Sequence, residues 1–241
     1  MTHPIFREDP YASVAEARVI AADPAGVVLE ATPFYPQAGG QPGDTGVLEW
    51  PGGSMPVADT RKAPEGPGIL HIPPPGAALP PVGALVTARL DWARRYRHMR
   101  MHTALHLLCS LIRGAGVTGG QIGELRSRLD FDLAQPPPRE ALEEELNALV
   151  AADLPVGESW ITPEELDANP GLVRTLSVQP PRGAGMIRLV RIGPPEAPVD
   201  LQPCGGTHVR RTGEIGRLAV GKIENKGRQN RRVHLLLAEE G

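Results

Sequence analysis

Cysteine is scarce, with only Cys109 and Cys204 in a chain of 241 residues. That excludes a disulfide-dense scaffold and agrees with a reducing compartment. Long apolar runs are also missing. No stretch approaches the roughly eighteen residues of a membrane span, and the opening MTHPIFREDP has no signal-peptide pattern, so a cytoplasmic protein without a membrane partner is expected. Neither an internal repeat nor a low-complexity tail is present. A net charge of only −3 argues against general nucleic-acid binding. With 41% hydrophobic and 22% charged residues, the remaining class is globular, as one large domain or two small ones.

The chain does hold two pairs of metal-type ligands, far apart: His102 and His106 in HTALHLL, and Cys204 and His208 in CGGTH. Residues at i and i+4 leave one helix face about a turn apart, as two ligands of a single ion should. Leu105, Leu108 and Ile112 recur at helical spacing on the other side, and Gly114 to Gly116 give a stop. Gly205 and Gly206 leave the backbone between the second pair free to turn tightly. Three imidazoles and one thiolate suit tetrahedral Zn²⁺. Taken alone, the histidine pair also reads as core or solvated residues, and CGGTH as a glycine turn with a buried thiol. Their joint presence favours zinc, with Cys109 a core residue of the apolar helix. Thr103 stands where HExxH metalloproteases carry a glutamate base, which disfavours a peptidase.

Charge is distributed unevenly. Between Arg89 and Arg113 lie six arginines against Asp91, and between His208 and His234 eight lysines and arginines against Glu214 and Glu224. Positive charge thus flanks both ligand pairs, as a phosphate-bearing substrate at the metal requires. Two solvated basic faces are the alternative.

Residues 1–90 read as short strands, ARVIAAD, GVVLEAT, TGVLEW, PGILHI and ALVTARLDW, expected to form a small β-barrel domain. The proline-rich run Ile72 to Gly83 is a surface loop. From residue 91 to 241 helices and strands mix. RLDFDL, MIRLVRIG, EIGRLAVGKIE and RRVHLLLA are strand candidates. Leu142, Leu146, Leu149 and Val150 mark an amphipathic helix with Glu143, Glu144 and Glu145 on its solvated face. Thr162, Pro163 and Glu165 form a capping box. Without a βαβ rhythm, the expected fold is α+β with a mainly antiparallel sheet and a helix carrying the two histidines. On an alternating strand, Asp130 either orders the metal-binding side chains or lies at the surface.

FYPQAGGQPGDTG, RHMRMHTALHLL, QIG followed by RLDFDL, and CGGTHVRRTGEIG together resemble the AlaX family of free-standing alanyl-tRNA editing proteins in its medium-length form, similar to the editing domain of alanyl-tRNA synthetase. Ala38 departs from the family's glycine stretch. The resemblance implies zinc-dependent hydrolysis in trans of tRNA(Ala) mischarged with serine or glycine, without ATP. It makes Thr103 and Gln121 candidates for recognising the serine hydroxyl, and brings Gly39, Gly40 and Gln41 toward the amino acid. Ordinary bonding of Thr103 to its own helix, and a plain strand reversal at the glycines, are the alternatives. Arg94, Arg95, Arg97, Arg100, Arg210, Arg211, Lys222, Lys226 and Arg228 would hold acceptor-stem phosphates. The metal would polarise the ester and activate water, or chiefly position the substrate. A zinc-stabilised RNA-binding module without chemistry, and a deacylase for another aminoacyl ester, are the competing functions. Oligomeric state is not readable.

Overall fold

The computed structural model describes residues 1–64, 66–176 and 185–238. Two units divide the chain, Met1–Tyr96 and Arg97–Gly241.

The first unit is built from β1 (His3–Pro4), β2 (Val14–Asp23), β3 (Gly26–Leu29), β4 (Ala31–Thr32), β5 (Gly46–Trp50), β6 (Gly53–Val57), β7 (Asp59–Lys62), β8 (Ile69–Ile72) and β9 (Leu85–Leu90). Seven of these pair antiparallel in the order β6-β5-β9-β2-β3-β8-β7, while β1 and β4 form a parallel pair. Alternation drives the packing: Val86, Ala88 and Leu90 of β9 are buried with Phe34, Leu48 and Met55, whereas Leu85 and Arg89 face out.

The expected barrel does not form. β6 and β7 are opposite edges of the seven-stranded sheet, and no ladder joins them among the described residues. Strands change partners along their length, as strands at sheet corners do. Residues Val14 to Arg18 of β2 pair with β9, and from Val19 onward the strand pairs with β3, with a register shift inside that ladder between Val19 and Ala21. Likewise β6 pairs with β5, but Ala58 next to it donates its N–H to Ile72, and β7 pairs with β8. Pro56 has no N–H for a further ladder, and the last residues of β7, Arg61 and Lys62, are exposed.

Helix α1 (Trp92–Leu111) begins in the first unit and continues into the second. Asp91 caps it through a bond from the Arg94 N–H, and Arg174 donates to the carbonyls of Cys109 and Ile112 at its far end. Residues Met101 to Ser110 are all buried, so this is an interior helix rather than a surface one.

The second unit adds β10 (Val117–Gln121), β11 (Arg126–Asp132), α2 (Arg139–Ala151), β12 (Val156–Ile161), α3 (Pro163–Ala168), β13 (Ile187–Ile192), β14 (Asp200–Pro203), β15 (Leu218–Gly227) and β16 (Asn230–Leu237). Two antiparallel sheets result, β10-β11-β16-β15 and β12-β13-β14. Helix α2 buries Leu142, Leu146 and Val150, and α3 starts from the capping box of Thr162 and Glu165. Glu143 is not simply solvated. Its carboxylate accepts the Val220 N–H, and Asn147 exchanges two bonds with the Leu218 backbone, so α2 covers the open edge of β15. The architecture is α+β, with three α-helices among the described residues.

Candidate metal centre

His102 and His106 project from one side of α1, and Cys204 and His208 come from the loop that follows β14. One ligand atom from each of the four lies within 4.8 Å of the others. Sγ of Cys204 is 3.4 Å from Nε2 of His102 and 3.3 Å from Nε2 of His208. The three rings stand with centroids 4.2 to 5.3 Å apart.

The side chains around the cluster fix which nitrogen points inward. Nδ1 of His106 meets the Asp200 carboxylate at 2.8 Å, and the Gln202 amide donates to the same oxygen at 2.9 Å. With Nδ1 of His106 so engaged, its Nε2 is left for the cluster. Thr103 does the same for His208. Its Oγ1 donates to the Met99 carbonyl, accepts the Val209 N–H, and lies 3.2 Å from Nδ1 of His208. The bond of Thr103 to its own helix is therefore present, together with a contact to a ligand ring. An Nδ1–H on His208 completes the set, with Nε2 again facing the thiol.

The CGGTH loop owes its shape to bonds rather than to unusual glycine angles. Neither Gly205 nor Gly206 has a positive φ, and a Cβ at Gly205 would meet open space. Instead the Gly206 N–H points to the Cys204 sulfur at 3.4 Å. Arg188 on β13 donates Nη1 to the carbonyls of Cys204 and Gly206, at 2.8 and 2.9 Å, and Nη2 to Glu158 at 2.5 Å.

Electrostatics favour a cation here. Burial alone would raise the Cys204 thiol, but the charges of His102 and His208 and bonds from His102 and His106 hold it well below its ordinary value. Burial pulls His106 down, yet Asp200 and Cys204 outweigh it and lift it to about 10. Burial, followed by the charge of His102, pushes His208 well below the usual histidine range. A thiolate among imidazoles whose outer nitrogens are held by Asp200 and Thr103 is a donor set that fits a divalent, zinc-like ion.

None of the other expected residues is one of the four clustered ligands. Asp130 does not touch the cluster; its carboxylate pairs with Arg128 and Arg232, and Asp200 fills the role of holding a ligand ring. Gln121 ends β10 opposite Arg128 with its side chain exposed. Gly39 and Gly40, at φ +56° and +82°, form a two-residue hairpin turn closed by Ala38 and Gln41 in the first unit. Among the basic residues, Arg95 is fully enclosed. Nε donates to both Asp44 oxygens, Nη1 to Pro10 and Nη2 to Pro33, with a further short contact from Nη2 to Asp44, so no face is left for a phosphate. Arg94 donates to the Gly43 carbonyl and Arg100 to the Ile215 carbonyl. Arg97 pairs with Glu124, Arg211 with Asp153, and both Lys222 and Lys226 with Glu224. Arg210 and Arg228 are exposed.

Asp200, Gln202 and Arg188 were not foreseen as site residues. A signal existed: Asp200, Gln202 and Cys204 alternate along one strand and its extension, so they share a face.

Fold and site together define a two-unit α+β protein with a buried three-histidine, one-cysteine centre suited to a metal ion. Residues 187–234 match the family described as threonyl and alanyl tRNA synthetase second additional domain, and residues 10–94 match tRNA synthetases class II (A). The alanine–tRNA ligase of Pyrobaculum neutrophilum is 40% identical over 232 residues, which are 92% of this chain but only 25% of that enzyme. This chain thus spans about a quarter of the ligases it matches. Alanyl-tRNA editing protein AlaX-M of Methanosarcina mazei is 34% identical over 257 residues, covering 100% of this chain and 98% of that protein. The corresponding protein of Methanosarcina acetivorans is 36% identical over 251 residues, covering 99% and 100%. The chain belongs to the AlaX-M family of alanyl-tRNA editing proteins.

Proposed function

We propose that this protein is a hydrolase that removes wrongly attached amino acids from tRNA(Ala), chiefly serine and also glycine, acting in trans with zinc bound by His102, His106, Cys204 and His208. The observation that carries this reading is the convergence of these four donors within 4.8 Å, in a chain that aligns end to end with AlaX-M proteins. The chemical need is plain: a pocket that accepts alanine rejects serine poorly, because serine only adds a hydroxyl, so a second site must remove the error.

A zinc ion held there supplies Lewis acidity toward the ester carbonyl and toward water. Asp200 and Thr103 keep the His106 and His208 rings in their ligating orientation, and Arg188 keeps the Cys204 loop in place. Thr103 Oγ1 already has one donation and two acceptances, so we assign it to positioning His208 and assign recognition of the serine hydroxyl to Gln121. Arg210, Arg211, Lys222, Lys226 and Arg228 are assigned to acceptor-stem phosphates.

One observation favours a second reading. Four protein ligands are typical of structural zinc, whereas catalytic zinc keeps a position open. A zinc-stabilised tRNA-binding module would show that pattern. Deacylation of Ser-, Gly-, Ala- and Thr-esters of tRNA(Ala), with and without a chelator, separates the readings. Chelator-sensitive loss of the serine and glycine esters with alanine spared is the expected result. Retention of every ester with tRNA still bound would leave only the binding module.

A further inference from the structure

Trp160, 47% exposed, is the only exposed aromatic residue among those described, and its position relative to the metal centre is fixed by strand register. Trp160 on β12 lies directly opposite Arg188 on β13. The next pairing, Leu189 with Pro203, puts Cys204 opposite Arg188 on the other side, and the Cys204 N–H donates to the Arg188 carbonyl. Residues directly opposite on neighbouring strands project from the same face. The indole, the Arg188 guanidinium and the Cys204 thiol therefore form a row across one face, which Asp200 and Gln202 also share. Two strand spacings put Trp160 roughly 10 Å from Cys204.

The middle of the row is rigid, because Arg188 is tied to Glu158 and to the carbonyls of Cys204 and Gly206. The outer end is open, because β12 is the edge of its sheet among the described residues. An indole held this way offers a flat face to a partner that reaches the metal centre from the side. In an aminoacyl-tRNA the ester is carried on the ribose of the 3′-terminal nucleoside. An ester at the cluster thus has a nucleobase one sugar away, a span that matches the row, and bases stack on aromatic side chains whatever their identity.

We propose that Trp160 is the platform on which the 3′-terminal adenine of the substrate tRNA stacks. The proposal rests on the deacylase reading above and adds the subsite that holds the end of the tRNA. Its test is equilibrium binding of uncharged tRNA(Ala), with or without the terminal adenosine, to the full-length wild-type protein, Trp160→Leu and Trp160→Phe. Leucine keeps apolar bulk on the edge strand and phenylalanine keeps an aromatic face. Equal metal content in all three confirms that the centre is intact.

Wild type is expected to prefer the complete tRNA by roughly tenfold, the order of one base–aromatic stack. Trp160→Leu should reduce that preference to less than twofold, and Trp160→Phe should keep most of it. A leucine variant with the wild-type preference overturns the proposal, as does a change of oligomeric state in that variant with the preference unaltered, which would make this face an interface between copies. Hydrolysis of Ser-tRNA(Ala) by wild type is measured alongside. Hydrolysis with no effect of Trp160 refutes the platform alone, whereas wild type that neither binds nor hydrolyses tRNA refutes the deacylase reading and the platform with it.

Discussion

His106 and Asp200, ninety-four positions apart in sequence, meet through Nδ1 and a carboxylate oxygen at 2.8 Å, both almost wholly buried. Carboxylates behind ligand histidines typically govern metal affinity by ten- to a hundredfold. Asp200→Ala should weaken zinc binding by about that factor, and Asp200→Asn by about tenfold. Competition with a chromogenic chelator measures both, and unchanged affinity would remove Asp200 from the centre.

Arg95 tests how the first unit is held together. It pairs with Asp44 at 0% and 1% exposure, and Asp44 also accepts the Tyr35 N–H. Removing one partner of a buried pair leaves an uncompensated charge, which costs about 3–5 kcal/mol. Arg95→Met should therefore lower stability by about that much in urea unfolding. Arg95→Met combined with Asp44→Leu should lose less than the single change, because no charge is stranded.

His71 predicts the acid side of the stability profile. Burial, only partly offset by its bond to Val27, lowers it to about 4, and Thr32 holds its other nitrogen at 2.7 Å. The folded value lies below the unfolded 6.5, so the unfolded chain takes up the proton first. The associated stability is complete above about pH 6.5 and is lost as pH falls toward about 4, reaching roughly 3 kcal/mol. Unfolding free energies of wild type and His71→Gln between pH 7.5 and 4 should converge across that window. A constant gap would show that His71 is not the group responsible.

Lys222, Lys226 and Arg228 on the β15–β16 hairpin are expected to contact phosphates. Each contact adds about 0.9 to the slope of log affinity against log salt on duplex nucleic acid. The triple alanine variant should lower that slope by roughly 2–3, read from tRNA binding at several salt concentrations. A wild-type slope would place the phosphates elsewhere.

The parts of the fold and site that were legible share one property: their signal is local. The i, i+4 spacing of His102 and His106, the capping box at Thr162 and the alternation in β9 each lie within one element. What escaped depends on distant partners. Arg95 looked like one more cation in a basic stretch, because its counterion stands fifty-one positions away. Glu143 looks solvated until β15 comes to its side, and Asp200 meets His106 only across ninety-four positions. β6 was missed because Pro56 breaks its strand pattern, which an edge position tolerates. The barrel failed for the same reason at larger scale: strand propensity names strands, while closure depends on which edges find each other.

Cys204 and His102 are separated by 102 positions, and only the finished tertiary structure brings them together. A nascent chain that has emerged through α1 but not yet through CGGTH presents only two of the four clustered ligands, a weak competitor for any ion. An ion held there would need the loop after β14 as well as α1 and would staple the two together, so that loading would report that the loop has docked on the helix.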